Sequence, residues 1–185
     1  MTAVMTEIKA PIKLNLGGAG EGKASYRVPG FLTVDLRNEG DTDVVSDVSD
    51  LSMFKDSSVE EIYSSNVLEH FPHVDTVKVL KEWCRVLKPQ GKLWLSVPDL
   101  MASMRLLQKE GQTEWVTYLL YGDQLHPLNY HYINFSFGYL AKKVVEAGFS
   151  DIKRLEDLPY GIQDASKHRD NHSGKGISLN CEITK

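Results

Sequence analysis

The stretch LNLGGAG at residues 14–20 constrains this chain most. A short apolar run ends there in closely spaced glycines, and a second apolar run, FLTVD at 31–35, ends in Asp35. The pattern predicts a buried strand, a tight glycine turn, a second strand and an acid at its tip. Glycines let the backbone approach a ligand with no side chain between, and an acid so placed can accept hydrogen bonds from ribose hydroxyls. The motif taken alone is also what any buried strand ending in a turn looks like.

Further strands are expected at 44–47, 61–65 and 92–97, the last entered from Pro89-Gln90-Gly91 and closed by Pro98. Val74, Val77, Leu80, Cys84 and Leu87 recur every three or four residues, a helix with Asp75 as its cap. Helices follow at 100–109, 113–120 and 135–146, the last stopped by Gly148, and strands at 149–155 and 177–184. Residues 121–132, rich in aromatics and His and holding Pro127, read as a loop. Residues 163–176 read as an exposed, mobile one. Strands alternating with helices imply an α/β fold with a mostly parallel sheet. Only residues 17–30 separate the first two strands, and 36–43 the next two, which is short for a parallel crossover. The first-half crossover helices are therefore expected to be shortened or missing. The face left thin there would suit a partner or a homodimer, or be covered by the chain's own tail and loops.

The chain has 185 residues, enough for one domain and a sizeable core. A net charge of −4 argues against a nucleic-acid partner. Cys84 and Cys181 form neither a metal-ligand nor a disulfide pattern, and no apolar stretch is long enough to cross a membrane, so a reducing cytoplasm is the expected setting. His168 and His172 lack a third ligand at a sensible spacing and read as loop polarity, so no metal is expected.

Gly17, Asp35, Asp47 and Asn66 stand at four successive expected strand ends, the edge where open parallel sheets bind ligands. From LNLGGAG through VDL, VSDVSDL and EIYSSNVLEHF to EWCRVLKPQGKLWLSVPDL, residues 14–100, the chain resembles class I S-adenosylmethionine-dependent methyltransferases. Within that class it resembles the small ones that often accompany bacterial surface-polysaccharide genes. The resemblance implies a Rossmann-like, mostly parallel seven-stranded sheet with an antiparallel last strand. It implies one methyltransferase domain over 1–185, with a cofactor half at about 12–100 and an acceptor half beyond. S-adenosyl-L-methionine would be the cofactor and a small molecule, such as a sugar or glycan precursor, the acceptor. Gly17 and Gly18 would line the methionine part, Asp35 with Leu36 beside it the ribose region, Asp47 and Val48 the adenine, and Asn66 the methyl-donor end. Ala19 stands where the family usually has glycine, and Asn15 where many relatives carry an acid. A hydroxyl acceptor benefits from a general base, for which His70, His126 and His131 are the candidates. Each could equally have a structural role. A protein that binds the cofactor without transferring methyl is the alternative reading.

Overall fold

The computed structural model describes residues 11–19, 26–38, 40–171 and 173–185. Gly20, the last residue of the opening motif, and His172 lie outside them. Seven strands form one sheet: β1 (Ile12–Leu16), β2 (Leu32–Asp35), β3 (Val44–Val45), β4 (Val59–Ser65), β5 (Leu87–Pro98), β6 (Asp151–Leu155) and β7 (Ser178–Thr184). Their order is β3-β2-β1-β4-β5-β7-β6, and β7 alone runs antiparallel to its neighbours. Among the described residues, four α-helices accompany them: α1 (Thr76–Val86), α2 (Leu100–Glu110), α3 (Glu114–Tyr121) and α4 (Phe137–Glu146). This is the expected Rossmann-like fold.

Strand side chains alternate between faces, and the two faces of this sheet differ in kind. Leu14, Leu16, Ile62, Leu93, Leu95, Cys181 and Ile183 point to one face and pack with α1 and α4 in the main core. Burial there pushes the Cys181 thiol up to about 12, so it is a small core residue and no nucleophile. The other face is largely polar. Lys13 pairs with Glu61 at 2.5 Å, Lys92 with Glu182 at 2.6 Å, and Trp94 donates to Glu61 at 2.8 Å. Trp94 is thus half-buried on this polar side.

Among the described residues, the chain covers that face with loops and short 3-10 turns and no α-helix. Phe31 and Val28 pack there with Tyr63, Leu158 and Trp94, and Tyr160 donates a hydrogen bond to Glu61. The expectation of an exposed loop at 163–176 is therefore corrected in its first part, while residues 171 and 173–175 are exposed as expected. Asp164 and Ser166 are buried, and Asp164 is held by the Tyr63 hydroxyl at 2.6 Å. A buried phenol–carboxylate bond and the apolar face of Tyr63 compensate for the polar backbone laid over the sheet. This covering removes the argument for a partner on that face.

Among the described residues, neither the β2–β3 nor the β3–β4 crossover contains a helix. Leu51 and Phe54 from the second of these insert into the main core. Arg85 of α1 staples it, donating to the carbonyls of Leu51 and Phe54, each at 3.1 Å, and to Asp56 and Glu82 at 2.6 and 2.7 Å. Two smaller corrections concern α1. It starts at Thr76, leaving Val74 at 74% exposure, off the apolar stripe. Asp75 takes the cap position but its side chain makes no capping bond. Both follow from the turn at Pro72, whose carbonyl accepts the Asp75 N–H at 2.8 Å and sets where the helix can begin.

Arg85→Ala should lower unfolding free energy in urea by about 2–3 kcal/mol, since it strips partners from two inner carbonyls and two carboxylates. Lys88→Ala, which breaks the more exposed pair with Glu60, should cost less than about 1 kcal/mol.

Candidate active site

The strand ends and the loops beyond them enclose a cavity of about 910 Å³. All ten residues singled out from the sequence line it: Gly17, Gly18, Asp35, Leu36, Asp47, Val48, Asn66, His70, His126 and His131.

The floor is backbone. Gly17 turns at φ +70° directly after β1 and donates its N–H to the Val34 carbonyl at 2.8 Å. A Cβ on Gly17 would overlap Val67, and one on Gly18 would overlap the Asn15 amide. Gly17, crowded and at positive φ, requires glycine; a side chain at Gly18 would displace the Asn15 amide. Asn66 closes β4 in the left-handed region at φ +55°, which asparagine tolerates better than most residues. Its N–H donates to the Ser96 carbonyl at 2.9 Å, which fixes it at the cavity edge.

Asp35 ends β2 with its side chain almost wholly buried. Its Oδ2 accepts from the Ala19 N–H and from Arg37 Nη2, both at 3.1 Å; its Oδ1 accepts from the Arg37 N–H at 2.9 Å and Nε at 3.1 Å. A carboxylate offers about four lone-pair sites, so all are filled, and Arg37 also reaches the Ala19 carbonyl at 2.6 Å. Sequence reasoning missed Arg37, although its place two residues beyond the acid was visible. Asp47 is exposed at the mouth, in an Asx turn to the Ser49 N–H at 2.8 Å. Val48 is tied down by the Trp83 indole, which donates to its carbonyl at 2.9 Å.

The far wall is the loop after α3. Gly122 turns it at φ +76°, where a Cβ would strike the Asn129 carbonyl. Residues 130–132 then clip onto the 3-10 turn Leu68–His70: the Tyr132 N–H donates to the Glu69 carbonyl at 2.8 Å, and His70 Nδ1 bonds the Tyr130 carbonyl at 3.1 Å. The clip brings His70 and His131, distant in sequence, edge to face with ring centroids 5.1 Å apart. His131 Nδ1 in turn bonds the Leu119 carbonyl at 3.1 Å. Burial, with His70 beside it, pulls His131 down to about 4, and burial lowers His70 as well. Both are neutral at pH 7, and since a carbonyl can only accept, both carry their proton on Nδ1 and a lone pair on Nε2. His126 differs. It is exposed, and its Nδ1 accepts the Leu128 N–H at 3.2 Å. That bond occupies the Nδ1 lone pair. His168, read from sequence as loop polarity, also lines the cavity.

Residues 27–95 match the family model for a methyltransferase domain. Among solved structures, a SAM-dependent methyltransferase from Archaeoglobus fulgidus superposes with a TM-score of 0.60 at 14% identity, covering 96% of this chain and 87% of that one. A SAM-dependent methyltransferase from Thermotoga maritima, a possible histamine N-methyltransferase, gives 0.56 at 17%, covering 94% and 82%. The 1,6-didemethyltoxoflavin-N1-methyltransferase of Burkholderia thailandensis, solved with 1,6-didemethyltoxoflavin and S-adenosylhomocysteine, gives 0.55 at 16%, covering 95% and 71%. No curated protein matches the chain. The fold is that of class I S-adenosylmethionine-dependent methyltransferases. The domain match and the fold together indicate an enzyme of that kind, with S-adenosylmethionine as its cofactor.

In this chain the departure at Asn15 has a structural reason. Its amide donates to the Tyr26 carbonyl at 3.0 Å, a bond a carboxylate could not donate, and so ties β1 to the chain entering β2. Ala19 is buried, and its N–H meets Asp35, so the backbone, not a further glycine, shapes the turn. Glu69 was missed as a site residue. It is fully buried against His70 and His131, and burial pushes its carboxyl up to about 8. Trp115 and Tyr118, three apart on α3, stack at 5.5 Å with 9° between their planes, and both line the cavity. Asp164 lines it too, so the covering loop is also a cavity wall.

Tyr63→Phe should cost about 1–3 kcal/mol, because it leaves a buried carboxylate oxygen short of a donor. Amide exchange over residues 156–168 should then quicken at least tenfold, while α1 is unaffected.

Proposed function

We propose that this methyltransferase acts on a hydroxyl of a small molecule, of the sugar or glycan-precursor class, in the cytoplasm. The observation that carries the reading is one cavity lined at one end by the glycine turn and Asp35 and at the other by two neutral histidines and stacked aromatic rings. Its volume is within the range of small-molecule sites. The residues suit the cofactor: Gly17 and Gly18 offer bare backbone to its methionine part, Asp35 a carboxylate to its ribose, and Leu36, Asp47 and Val48 a mixed edge to its adenine. Asn66 faces the donor end. When bound, S-adenosylmethionine supplies an electrophilic methyl group on a sulfonium.

The protein's part is to align the acceptor, exclude water and take a proton. Alignment alone supplies several kcal/mol. His70 and His131 are neutral and present Nε2 lone pairs, so either accepts the hydroxyl proton; His126 serves the rim. Trp115 and Tyr118 give a flat apolar surface with a polar tip, which suits the face of a sugar ring. The division at about residue 100 into cofactor and acceptor halves of one domain fits a core shared by both, in which Leu14 and Leu140 belong to the same cluster.

Arg37 fills the lone pairs of Asp35, so ribose must displace it. That observation also favours a second reading, a cofactor-binding protein without transferase activity. Calorimetry with S-adenosylhomocysteine tests the first step. Asp35→Ala should weaken binding at least about tenfold, and Arg37→Ala, by freeing the carboxylate, should tighten it about fivefold, or about 1 kcal/mol. Unchanged affinity in Asp35→Ala would sink the cofactor assignment. For the reaction, labelled S-adenosylmethionine is offered with a panel of nucleotide sugars and glycan precursors. Label in a sugar hydroxyl is expected, with kcat at least about a hundredfold lower in His131→Gln. Tight cofactor binding with no product across the panel supports the second reading instead.

A further inference from the structure

We propose that Glu69, His70 and His131 form a binding site for a divalent first-row transition-metal ion at the acceptor end of the cavity. One ligand atom from each of the three lies within 4.8 Å of the other two. Two imidazoles and one carboxylate are a donor set for zinc, iron, cobalt, nickel or manganese; magnesium and calcium favour oxygen alone.

Three independent features point to an ion. The first is the tautomer. His70 and His131 each spend Nδ1–H on a backbone carbonyl, Tyr130 and Leu119, both at 3.1 Å. That is the outer-shell arrangement of metal-bound histidine, with Nε2 left as the ligand. The second is Glu69. It is fully buried, and neither carboxylate oxygen has a hydrogen-bond partner. The Asn66 amide and its own backbone N–H act on it electrostatically but make no well-formed bond. A buried carboxyl with no partner costs several kcal/mol, and a chain retains one where a ligand compensates. The third is how the cluster is built. The Tyr132 N–H bonds the Glu69 carbonyl at 2.8 Å and the His131 N–H bonds the Tyr121 carbonyl at 3.0 Å, so backbone pairing, with Gly122 making the turn, holds the three together.

The charged groups acting on the cluster are few. Asp123 adds a negative field and Arg37 a positive one. Donors around an ion at about 2.1 Å stand about 3 to 3.5 Å apart, so side-chain rotations of about an ångström close the site. His70 and His131 also line the cavity, so one open coordination position faces the acceptor. An acceptor hydroxyl held there would be acidified by the ion, as metal-bound water is, and would lose its proton to solvent water, because a bound ion takes the Nε2 lone pairs that act as base in the metal-free protein. This last consequence rests on the methyltransferase reading; the ion binding does not.

The test uses the full chain, freed of metal with a chelator and titrated with Co²⁺ while visible absorption and heat are recorded. One Co²⁺ per chain is expected, with d–d bands that Zn²⁺ abolishes. His70→Gln, His131→Gln and Glu69→Gln should each lose at least about tenfold in affinity. Their thermal unfolding should stay cooperative; Glu69→Gln keeps the size of the buried side chain, so it carries the test if a histidine variant does not fold. No Co²⁺ bound, or affinity unchanged in the folded variants, overturns the proposal and leaves a proton-sharing carboxyl–imidazole cluster. S-adenosylhomocysteine binding by the metal-free chain is measured beside it. Co²⁺ without that ligand upholds the metal site and removes the methyltransferase reading; the ligand without Co²⁺ does the reverse.

Discussion

The two-faced sheet is the constraint on which the rest depends. Parallel strands are usually buried on both sides and read as unbroken apolar runs. Here β1, β4 and β5 alternate, with Leu14, Leu16, Ile62, Leu93 and Leu95 on one face and Lys13, Asn15, Glu61, Tyr63, Lys92 and Trp94 on the other. The apolar face demands helices and receives α1 and α4. The polar face does not, because cross-strand ion pairs and half-buried aromatics satisfy it.

The site follows from that division. Covering segments that need not be helices run to the carboxyl edge of the sheet and supply cavity wall. Tyr26 approaches through Asn15, and Asp164 is pinned by Tyr63. Opposite the glycine turn, the loop after α3 is clipped to the turn at Leu68–His70, so the two histidines share a wall. The end at the glycine turn is backbone, with Gly17 packed against Val67, whereas the opposite end is side chains on a clipped loop.

Much of this was legible in the chain. The strands and helices announce themselves by periodicity, and the strand-end positions Gly17, Asp35, Asp47 and Asn66 come together because a parallel sheet aligns its carboxyl ends. The alternation in IKLNL and KLWLSV also carried the news that one face is polar, a signal the shortness of the crossovers only hinted at. What sequence could not give were contacts closed by loops. Nothing in residues 163–176 marks Asp164 as the partner of Tyr63, and the segment's polarity points instead to solvent. Glu69 stands beside His70 in LEH, yet its meeting with His131 depends on backbone pairing over sixty residues, which leaves no spacing to read. Arg37 sits in plain view two residues past Asp35, but that it folds back on the acid is a matter of side-chain geometry.

The central claim is that one cavity holds an adenosine cofactor by Asp35 and presents its reacting end to the histidine pair. A crystal structure with S-adenosylhomocysteine bound tests it most directly. The account predicts ribose hydroxyls on Asp35 with Arg37 turned away, and the thioether sulfur between Asn66 and the pair His70 and His131. Ribose bound away from Asp35, or the sulfur directed away from both histidines, would contradict it.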